Sequence, residues 1–188
     1  HYLTTISRQT ERLNKLVEEL DVLTLNAQPR IESDGEAEIV FIDQLFIEAM
    51  SEFQLLIEQE ERDIYIQVSP ESAKIKSHYD KLSRILVNLL NNAFKYSDPG
   101  TKIEVVAQLT EQILTISVKD EGQGIAPEDL DKIFKRLYRV ETSRNMKTGG
   151  HGLGLAIARE LAHQLGGEIM VESQCGLGST FTFTLNLT

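Results

Sequence analysis

The 188-residue chain contains a single cysteine, Cys175. One cysteine excludes a disulfide framework and a metal site built from several thiolates, and it suits a reducing compartment. No apolar run approaches the roughly 18 to 20 residues that a membrane-spanning helix needs, and no signal peptide is visible. An excess of basic residues is also lacking, because the formal net charge is −10. This charge argues against a general nucleic-acid-binding protein.

The first part of the chain has the pattern of one long amphipathic helix. Its apolar residues recur at alternating intervals of three and four, which forms a narrow seam. The residues of this seam are Ile6, Leu13, Leu16, Leu20 and Leu23. Since a helix of this length is not stable alone, the seam predicts a partner helix or a second chain. An ordinary terminal helix that packs on its own domain is the alternative.

Composition divides the chain into three parts. The residues that follow the helix are mostly polar and include Pro and Gly, which is typical of a linker. We expect residues 1–26 to be a helix, residues 27–36 a linker and residues 37–188 a globular domain. Since position 1 is a histidine and not a methionine, we also expect the chain to be part of a longer protein.

Periodicity and turn signals assign helices and strands to the globular part. Helices are predicted at about 43–60, from Tyr79 or Asp80 to the Asp98-Pro99-Gly100 turn, and at about 152–166, with a short one at 126–128. Strands are predicted at 38–42, 64–68, 73–76, 102–109, 113–119, 168–172 and 180–187. Helices on one face of a mostly antiparallel sheet make an α+β sandwich. The lack of βαβ alternation argues against Rossmann and P-loop topologies.

A polar stripe follows one edge of the helix that begins near Tyr79. At about 100° per residue, Asn88, Asn92 and Lys95 fall on one narrow stripe beside a wider apolar face. That face consists of Leu82, Ile85, Leu86, Leu89 and Ala93. Two carboxamides and an ammonium in this arrangement fit a site for a hard cation and its anionic ligand. A solvated helix face explains the stripe equally well.

Residues 134–150 show no sustained period and predict a long, strongly basic loop. Five basic residues against one acidic residue give this loop a net charge of +4, so the other residues together carry −14. A basic loop on an acidic body favours an anion such as phosphate, and structureless loops of this length are commonly active-site lids. A solvated loop that balances the acidic body is the alternative on charge alone.

Glycine-containing segments stand on both sides of this loop. After it, residues 149–155 lead straight into a helix, where bare backbone N–H groups and the helix N-terminus favour an anion. Before it, Asp120 ends a strand just ahead of Gly122 and Gly124. A carboxylate in that place can accept a hydrogen bond from the exocyclic amine of adenine while the ring lies against glycine backbone. An aspartate that only caps the turn is the alternative.

Taken in order, these motifs resemble the catalytic and ATP-binding domain of sensor histidine kinases of bacterial two-component systems. The resemblance covers about residues 36–187, and residues 1–26 are similar to the second helix of that family's dimerisation and phosphotransfer domain. The matching segments are residues 88–96 (N box), 120–124 (first glycine box), 134–139 (F box), 150–154 (second glycine box) and 176–180 (a short terminal box). The resemblance implies a Bergerat-type fold, a two-layer sandwich of helices on a mixed, mostly antiparallel sheet, after a long N-terminal helix.

The resemblance also implies ATP and Mg²⁺ as ligands. Asn92 would supply an amide oxygen to Mg²⁺, Asn88 would assist with the same ion or its waters, and these are the implied metal residues. Lys95 and Arg139 would contact phosphate and complete the catalytic set. The residues implied to hold the nucleotide are Asn92, Lys95, Tyr96, Asp120, Gly122, Gly124, Ile125, Arg139, Gly150, His151, Gly152, Leu153, Gly154 and Thr180.

The implied reaction is transfer of the γ-phosphoryl group of ATP to a histidine of the dimerisation domain, for relay to a response-regulator aspartate. The chain lacks the His-Glu-x-x-Thr-Pro motif that carries this histidine in the family. The resemblance implies a homodimer in the full-length protein, a cognate response regulator and no nucleic acid. The implied location is the cytoplasmic portion of a membrane-anchored sensor, with the membrane reached only through segments absent from this chain.

Two other functions fit the same motifs. One is an ATP-hydrolysing clamp of the same fold, and the other is an anti-sigma-type serine kinase or sequestering module. In the hydrolytic branches, the position of Asn88 usually holds a glutamate that activates water, and an amide cannot take a proton from water. Asn88 therefore favours phosphoryl transfer over hydrolysis, and the helix predicted for residues 1–26 argues against the anti-sigma type.

Overall fold

Twelve regular elements make up the part of the chain that the computed structural model describes, residues 36–140 and 152–187. In chain order they are β1 (Glu38–Phe41), α1 (Ile42–Ser51), α2 (Gln54–Glu60), β2 (Asp63–Ser69), β3 (Lys74–Ser77), α3 (Tyr79–Tyr96), β4 (Lys102–Leu109), β5 (Ile113–Asp120), a short 3₁₀ helix (Pro127–Asp129), α4 (Gly154–Gln164), β6 (Gly167–Gln174) and β7 (Gly178–Asn186). The helix predicted for residues 1–26 and nearly all of the linker predicted for residues 27–36 lie outside the described residues.

Five strands form one sheet in the order β2-β4-β5-β7-β6, and β1 pairs with β3 in a separate two-stranded sheet. All neighbours in the large sheet are antiparallel except β2 and β4, which are parallel. The predicted sandwich on a mixed, mostly antiparallel sheet is confirmed. The sheet does not alternate strands and helices in the βαβ manner, but it contains one crossover of that kind. Parallel neighbours cannot be joined by a tight turn, and the crossover from β2 to β4 contains β3 and α3.

The single helix predicted at 43–60 is also wrong, because the chain bends after Ser51 and forms α1 and α2. The hydroxyl of Ser51 donates a hydrogen bond to the backbone oxygen of Glu48, which is a bond that bends helices. The bend places the ring of Phe53 in a parallel stack on Phe94, with centroids 4.6 Å apart. The packing of Phe53 against α3 thus favours two helices over one continuous helix.

The core lies between the helices and one face of the large sheet. Because side chains alternate along a strand, every second residue of the three central strands points into this core. The buried strand residues are Ile103, Val105, Ala107, Leu114, Ile116, Val118, Phe181, Phe183 and Leu185. The predicted apolar face of α3 is fully buried as well, and α3 packs against α4. No helix among the residues that the structure describes is long and apolar enough to span a bilayer.

Candidate functional site

The polar stripe of α3 lies along the border of its buried face. Asn88, Asn92 and Lys95 are half-buried, whereas Asn91 is exposed. The Nδ2 atom of Asn88 donates a hydrogen bond to the backbone oxygen of Arg84, 2.8 Å away. This bond uses one N–H of the carboxamide and leaves its oxygen directed toward α4.

The oxygen of Asn88 lies against the first turn of α4. A Cβ atom placed on Gly154, the first residue of α4, would be only 2.8 Å from the Asn88 Oδ1 atom. The first N–H groups of a helix have no partner within it, and the helix dipole is positive at this end. The amide oxygen of Asn88 and the N-terminus of α4 therefore lie next to each other. The oxygen suits a cation, and the helix N-terminus suits an anion.

Leu153 and Gly152 position this end of α4. Leu153 is 3% exposed, and its backbone oxygen accepts a hydrogen bond from the N–H of Ile157. Gly152 has a φ of +71°, and its backbone oxygen accepts a hydrogen bond of 2.9 Å from the N–H of Leu137. The described first part of the basic loop, at Leu137, is thus bonded to the backbone just before α4.

Asp120 is the last residue of β5 and is 2% exposed. Its Oδ1 accepts a hydrogen bond of 2.9 Å from the N–H of Gly122, and the backbone N–H of Ser179 also donates to the carboxylate. Burial raises the pKa of the Asp120 carboxyl above its usual value, and these two backbone donors act in the opposite direction. Two oxygens offer about four acceptor positions, so this carboxylate can still accept from a ligand.

Two glycines in the loop after Asp120 are packed directly against backbone. A Cβ atom on Gly122 would be 2.2 Å from the backbone oxygen of Tyr96, and one on Gly124 would be 2.0 Å from that of Gln174. Gly124 also has a φ of +69°, a conformation that residues with a Cβ rarely adopt. The loop is therefore held between the end of α3 and the turn that joins β6 to β7.

Backbone hydrogen bonds fix the same loop on both sides. The N–H of Gln123 donates to the oxygen of Tyr96 at 3.1 Å, and the oxygen of Gln123 accepts from the N–H of Gly176 at 2.8 Å. The N–H of Ile125 donates to the hydroxyl of Ser173, also at 2.8 Å. At the end of α3, the ammonium of Lys95 lies 4.8 Å from the centroid of the Tyr96 ring.

The segment that begins the basic loop is anchored by aromatic residues. The ring of Phe134 contacts Phe181 edge-on, with centroids 6.4 Å apart, and the guanidinium of Arg159 lies 5.0 Å from the Phe134 centroid. The hydroxyl of Tyr138 donates to Asp129 at 2.6 Å, and this bond lowers the pKa of the Asp129 carboxyl. Arg139 follows in this segment and is half-buried.

The structure thus brings the residues expected at the site into two neighbourhoods. One joins Asn88 to Gly154 beside Leu153 and Gly152. The other joins the end of α3, with Lys95 and Tyr96, to Asp120, Gly122, Gly124 and Ile125. Gly150 and His151 lie outside the described residues.

Thr180 is not brought to Asp120. The register pairs Asp120 with Ser179, and Thr180 pairs with Lys119. Because side chains alternate along β7, Thr180 points to the sheet face opposite to Phe181 and the helices. The residue that sequence reasoning missed is its neighbour Ser179, which only the strand register could have identified.

Ser173 is a second residue that sequence reasoning missed. Its hydroxyl accepts from the N–H of Ile125, donates to the backbone oxygen of Gly178 at 2.8 Å and lies 3.0 Å from the hydroxyl of Ser179. Ser173 therefore joins the loop after β5 to the start of β7. A serine near the end of a strand gives no local signal of such a role.

The chain is similar in sequence to curated histidine protein kinases. The chain is 38% identical over 181 residues to histidine protein kinase SaeS of Staphylococcus epidermidis, an alignment that covers 95% of this chain and 50% of that protein. It is 37% identical over 182 residues to SaeS of Staphylococcus aureus, with 95% and 51% covered. The chain therefore spans about half the length of these curated relatives.

Solved structures share the fold. The histidine kinase AdeS of Acinetobacter baumannii has a TM-score of 0.79 at 25% identity, with 99% of this chain and 84% of that chain covered. Full-length ShkA has a TM-score of 0.81 at 24% identity, with 100% of this chain and 38% of that chain covered. Residues 77–188 match the family described as histidine kinase-, DNA gyrase B- and HSP90-like ATPase. The chain therefore belongs to this family of histidine kinase-, DNA gyrase B- and HSP90-like ATPases.

Proposed function

We propose that this chain binds ATP with Mg²⁺ and transfers the γ-phosphoryl group to a histidine side chain of a dimerisation domain. From that histidine the group passes to an aspartate of a response regulator. Membership of the ATPase family and similarity to histidine protein kinases support this function. ShkA, which shares the fold, forms a complex with AMPPNP. The observation that carries the proposal is the orientation of Asn88, whose oxygen faces the N-terminus of α4.

The adenine end of the site is assigned to Asp120 and its loop. The carboxylate is kept from water and held by two backbone donors, so it is oriented before a ligand arrives. An adenine amine that donates to it forms a charge-assisted hydrogen bond, which is stronger than a neutral one. Gly122 and Gly124 let the loop pack against the backbone of Tyr96 and Gln174, and this packing fixes the wall on which the ring would lie. Tyr96 and Ile125 supply apolar surface beside it.

The metal end is assigned to Asn92 and Asn88. Mg²⁺ prefers oxygen ligands, keeps several waters and is shared with substrate phosphates. Asn88 fits this preference, because its nitrogen donates to the backbone oxygen of Arg84 and its oxygen faces the first turn of α4. When bound, Mg²⁺ neutralises charge that develops on the phosphates. Lys95 and Arg139 supply further positive charge on the protein side.

Phosphoryl transfer needs positioning and charge neutralisation more than proton transfer by the protein. The amide of Asn88 neither takes a proton from water nor gives one to the leaving group. Because Asn88 does not activate water, the γ-phosphoryl group is transferred to a protein acceptor. In an ATP-hydrolysing clamp of the same fold it is transferred to water. On the resemblance to the family, we assign the chain to the cytoplasmic portion of a membrane-anchored, homodimeric sensor, with residues 1–26 as part of its dimerisation domain.

A transfer assay tests this function. We expect the chain, mixed with ATP, Mg²⁺ and a separate dimerisation domain that carries the acceptor histidine, to label that domain. The label should be acid-labile and base-stable, as a phosphorylated histidine is. Rapid release of phosphate without labelling would instead identify an ATP-hydrolysing clamp. Label that survives acid would identify a serine kinase.

The metal assignment is tested by Asn92→Ala, with Asn91→Ala as its matched control. Both substitutions remove a carboxamide from α3 and favour the helix, but only Asn92 lies on the half-buried stripe. We expect Asn92→Ala to raise the Kd for ATP in Mg²⁺ by about 100-fold, and Asn91→Ala to leave it unchanged. Calorimetric titrations with Mg²⁺ and with EDTA measure the effect. Equal Kd values for the two variants would remove Asn92 from the site.

A further inference from the structure

Arg62 is a buried guanidinium group that the proposed reaction does not use. The residue precedes β2 and is 7% exposed, and its side chain is 1% exposed. Each of its five N–H donors has an acceptor. The acceptors are the Glu60 carboxylate for Nε, the hydroxyls of Ser97 and Thr101 for Nη1, and the backbone oxygens of Phe94 and Ser97 for Nη2. Such complete bonding is what a buried charge requires.

These bonds hold the C-terminal end of α3. The last carbonyl groups of a helix have no partner within it, and Arg62 donates to the oxygen of Phe94 at 3.1 Å and to that of Ser97 at 2.8 Å. The guanidinium also lies 5.6 Å from the centroid of the Phe94 ring. A cation is favourable at this end of a helix. Arg62 therefore fixes the last turn of α3 in one position.

The same turn supports the site. It carries Lys95 and Tyr96, and the backbone oxygen of Tyr96 accepts the hydrogen bond from Gln123. Gly122 packs against that oxygen so closely that a Cβ atom there would be 2.2 Å away. A shift of the helix end thus moves the loop that follows Asp120, as well as the ammonium of Lys95.

We propose that Arg62 is a positioning residue for the nucleotide site. It holds the end of α3 in the place where Lys95, Tyr96 and the loop after Asp120 are arranged to receive ATP, without contact with the nucleotide. The inference rests on the proposed function, because it needs ATP as the ligand. In a positioning role, the loss of Arg62 lowers the affinity of the folded chain for ATP. In a purely structural role, it would lower only the stability of the fold.

The experiment compares Arg62→Met with Leu114→Ala in the full chain. Leu114 is fully buried and lies six residues before Asp120 in β5, about 20 Å away at the usual rise per residue. Both variants lose stability, but only Arg62→Met loosens the end of α3. With the folded fraction measured by circular dichroism, we expect the Kd for ATP in Mg²⁺ per folded molecule to rise on the order of 10-fold for Arg62→Met. For Leu114→Ala it should remain that of the unchanged chain.

Arg62→Lys provides a second variant that keeps the charge. Lysine has a single nitrogen and cannot reach all the acceptors of a guanidinium, so we expect a Kd between those of Arg62→Met and the unchanged chain. A Kd equal to that of the unchanged chain in every folded Arg62 variant would overturn the inference and leave the proposed function intact. An equal rise in Leu114→Ala would overturn it as well. If the unchanged chain itself does not bind ATP, the proposed function fails, and this inference fails with it.

Discussion

Replacement of Asp120 by asparagine is expected to weaken ATP binding on the order of 10-fold. Asparagine has nearly the same shape, and its Oδ1 can still accept from the N–H of Gly122, but the amide has one acceptor oxygen where the carboxylate has two. A hydrogen bond to a charged acceptor contributes about 1.5–3 kcal/mol, more than one between neutral groups. The difference between the two kinds of bond is about 1–1.5 kcal/mol, which corresponds to a roughly 10-fold higher Kd.

The stability of this variant follows from the pKa of Asp120, which burial raises. A raised pKa in the folded state means that the folded chain holds its proton more tightly than the unfolded chain does. The stability from this group is fully present below the unfolded pKa and is lost as the pH rises through the folded pKa. At neutral pH the buried charge therefore opposes folding. Asparagine removes this pH dependence, so the free energy of unfolding of Asp120→Asn, measured with urea, should vary less with pH than that of the unchanged chain.

Inosine triphosphate supplies the control for the same prediction, because its base lacks the exocyclic amine. The unchanged chain should bind ATP more tightly than inosine triphosphate, and Asp120→Asn should reduce that preference. Calorimetric titration of both nucleotides with both chains measures the four Kd values. If the substitution weakens the two nucleotides equally, Asp120 does not recognise the amine.

The second large effect is expected for Gly124→Ala, with Gly100→Ala as the matched control. Both glycines have a left-handed backbone, with φ values of +69° and +78°. An added Cβ on Gly100 meets no atom within 4 Å, whereas on Gly124 it would be 2.0 Å from the backbone oxygen of Gln174. Gly100→Ala should therefore cost only the backbone strain, about 1–2 kcal/mol. Gly124→Ala adds an overlap with rigid backbone and should cost about 3–5 kcal/mol in total.

Urea unfolding of the two variants measures this difference. The overlap at Gly124 also separates the loop after β5 from the turn between β6 and β7, so nucleotide binding should weaken in that variant. Gly100→Ala should bind nucleotide like the unchanged chain. Equal losses of unfolding free energy in the two variants would show that the packing of Gly124 against Gln174 is not tight.

The parts of this fold that sequence alone could predict are those set by neighbours along the chain. The helical period places Asn88, Asn92 and Lys95 on one edge of α3, and the structure finds them half-buried beside the apolar face. Strand alternation likewise predicts β4, β5 and the last hairpin within one or two residues. The order of the glycine segments along the chain also indicates the histidine kinase family, because motif order does not depend on tertiary contacts.

The parts that sequence could not predict depend on partners far away in the chain. The bend after Ser51 buries Phe53 against Phe94, and no local signal separates that bend from a continuous helix. The pairing of Asp120 with Ser179 depends on the register of β5 and β7, and a shift by one residue would have exchanged Ser179 for Thr180. Likewise, the hydrogen bonds from Arg62 to the backbone oxygens of Phe94 and Ser97 depend on the contact between the end of α3 and the start of β2.

The loop after Asp120 is held by the last hairpin, so during synthesis it can be fixed only after that hairpin has been made. Ile125 and Ser173, which share a hydrogen bond, are 48 residues apart in the chain. A ribosome makes the chain from its N-terminus at about 5–20 residues per second. The stripe on α3 and Asp120 therefore leave the ribosome well before Ser173 and Ser179 exist to hold the loop. On the proposed assignment of the site, a nascent chain that ends before β7 has Asn88, Asn92 and Lys95 but not the Ser173 and Ser179 contacts that hold the loop after Asp120. We therefore expect nucleotide to stabilise the fold only after the final hairpin has emerged.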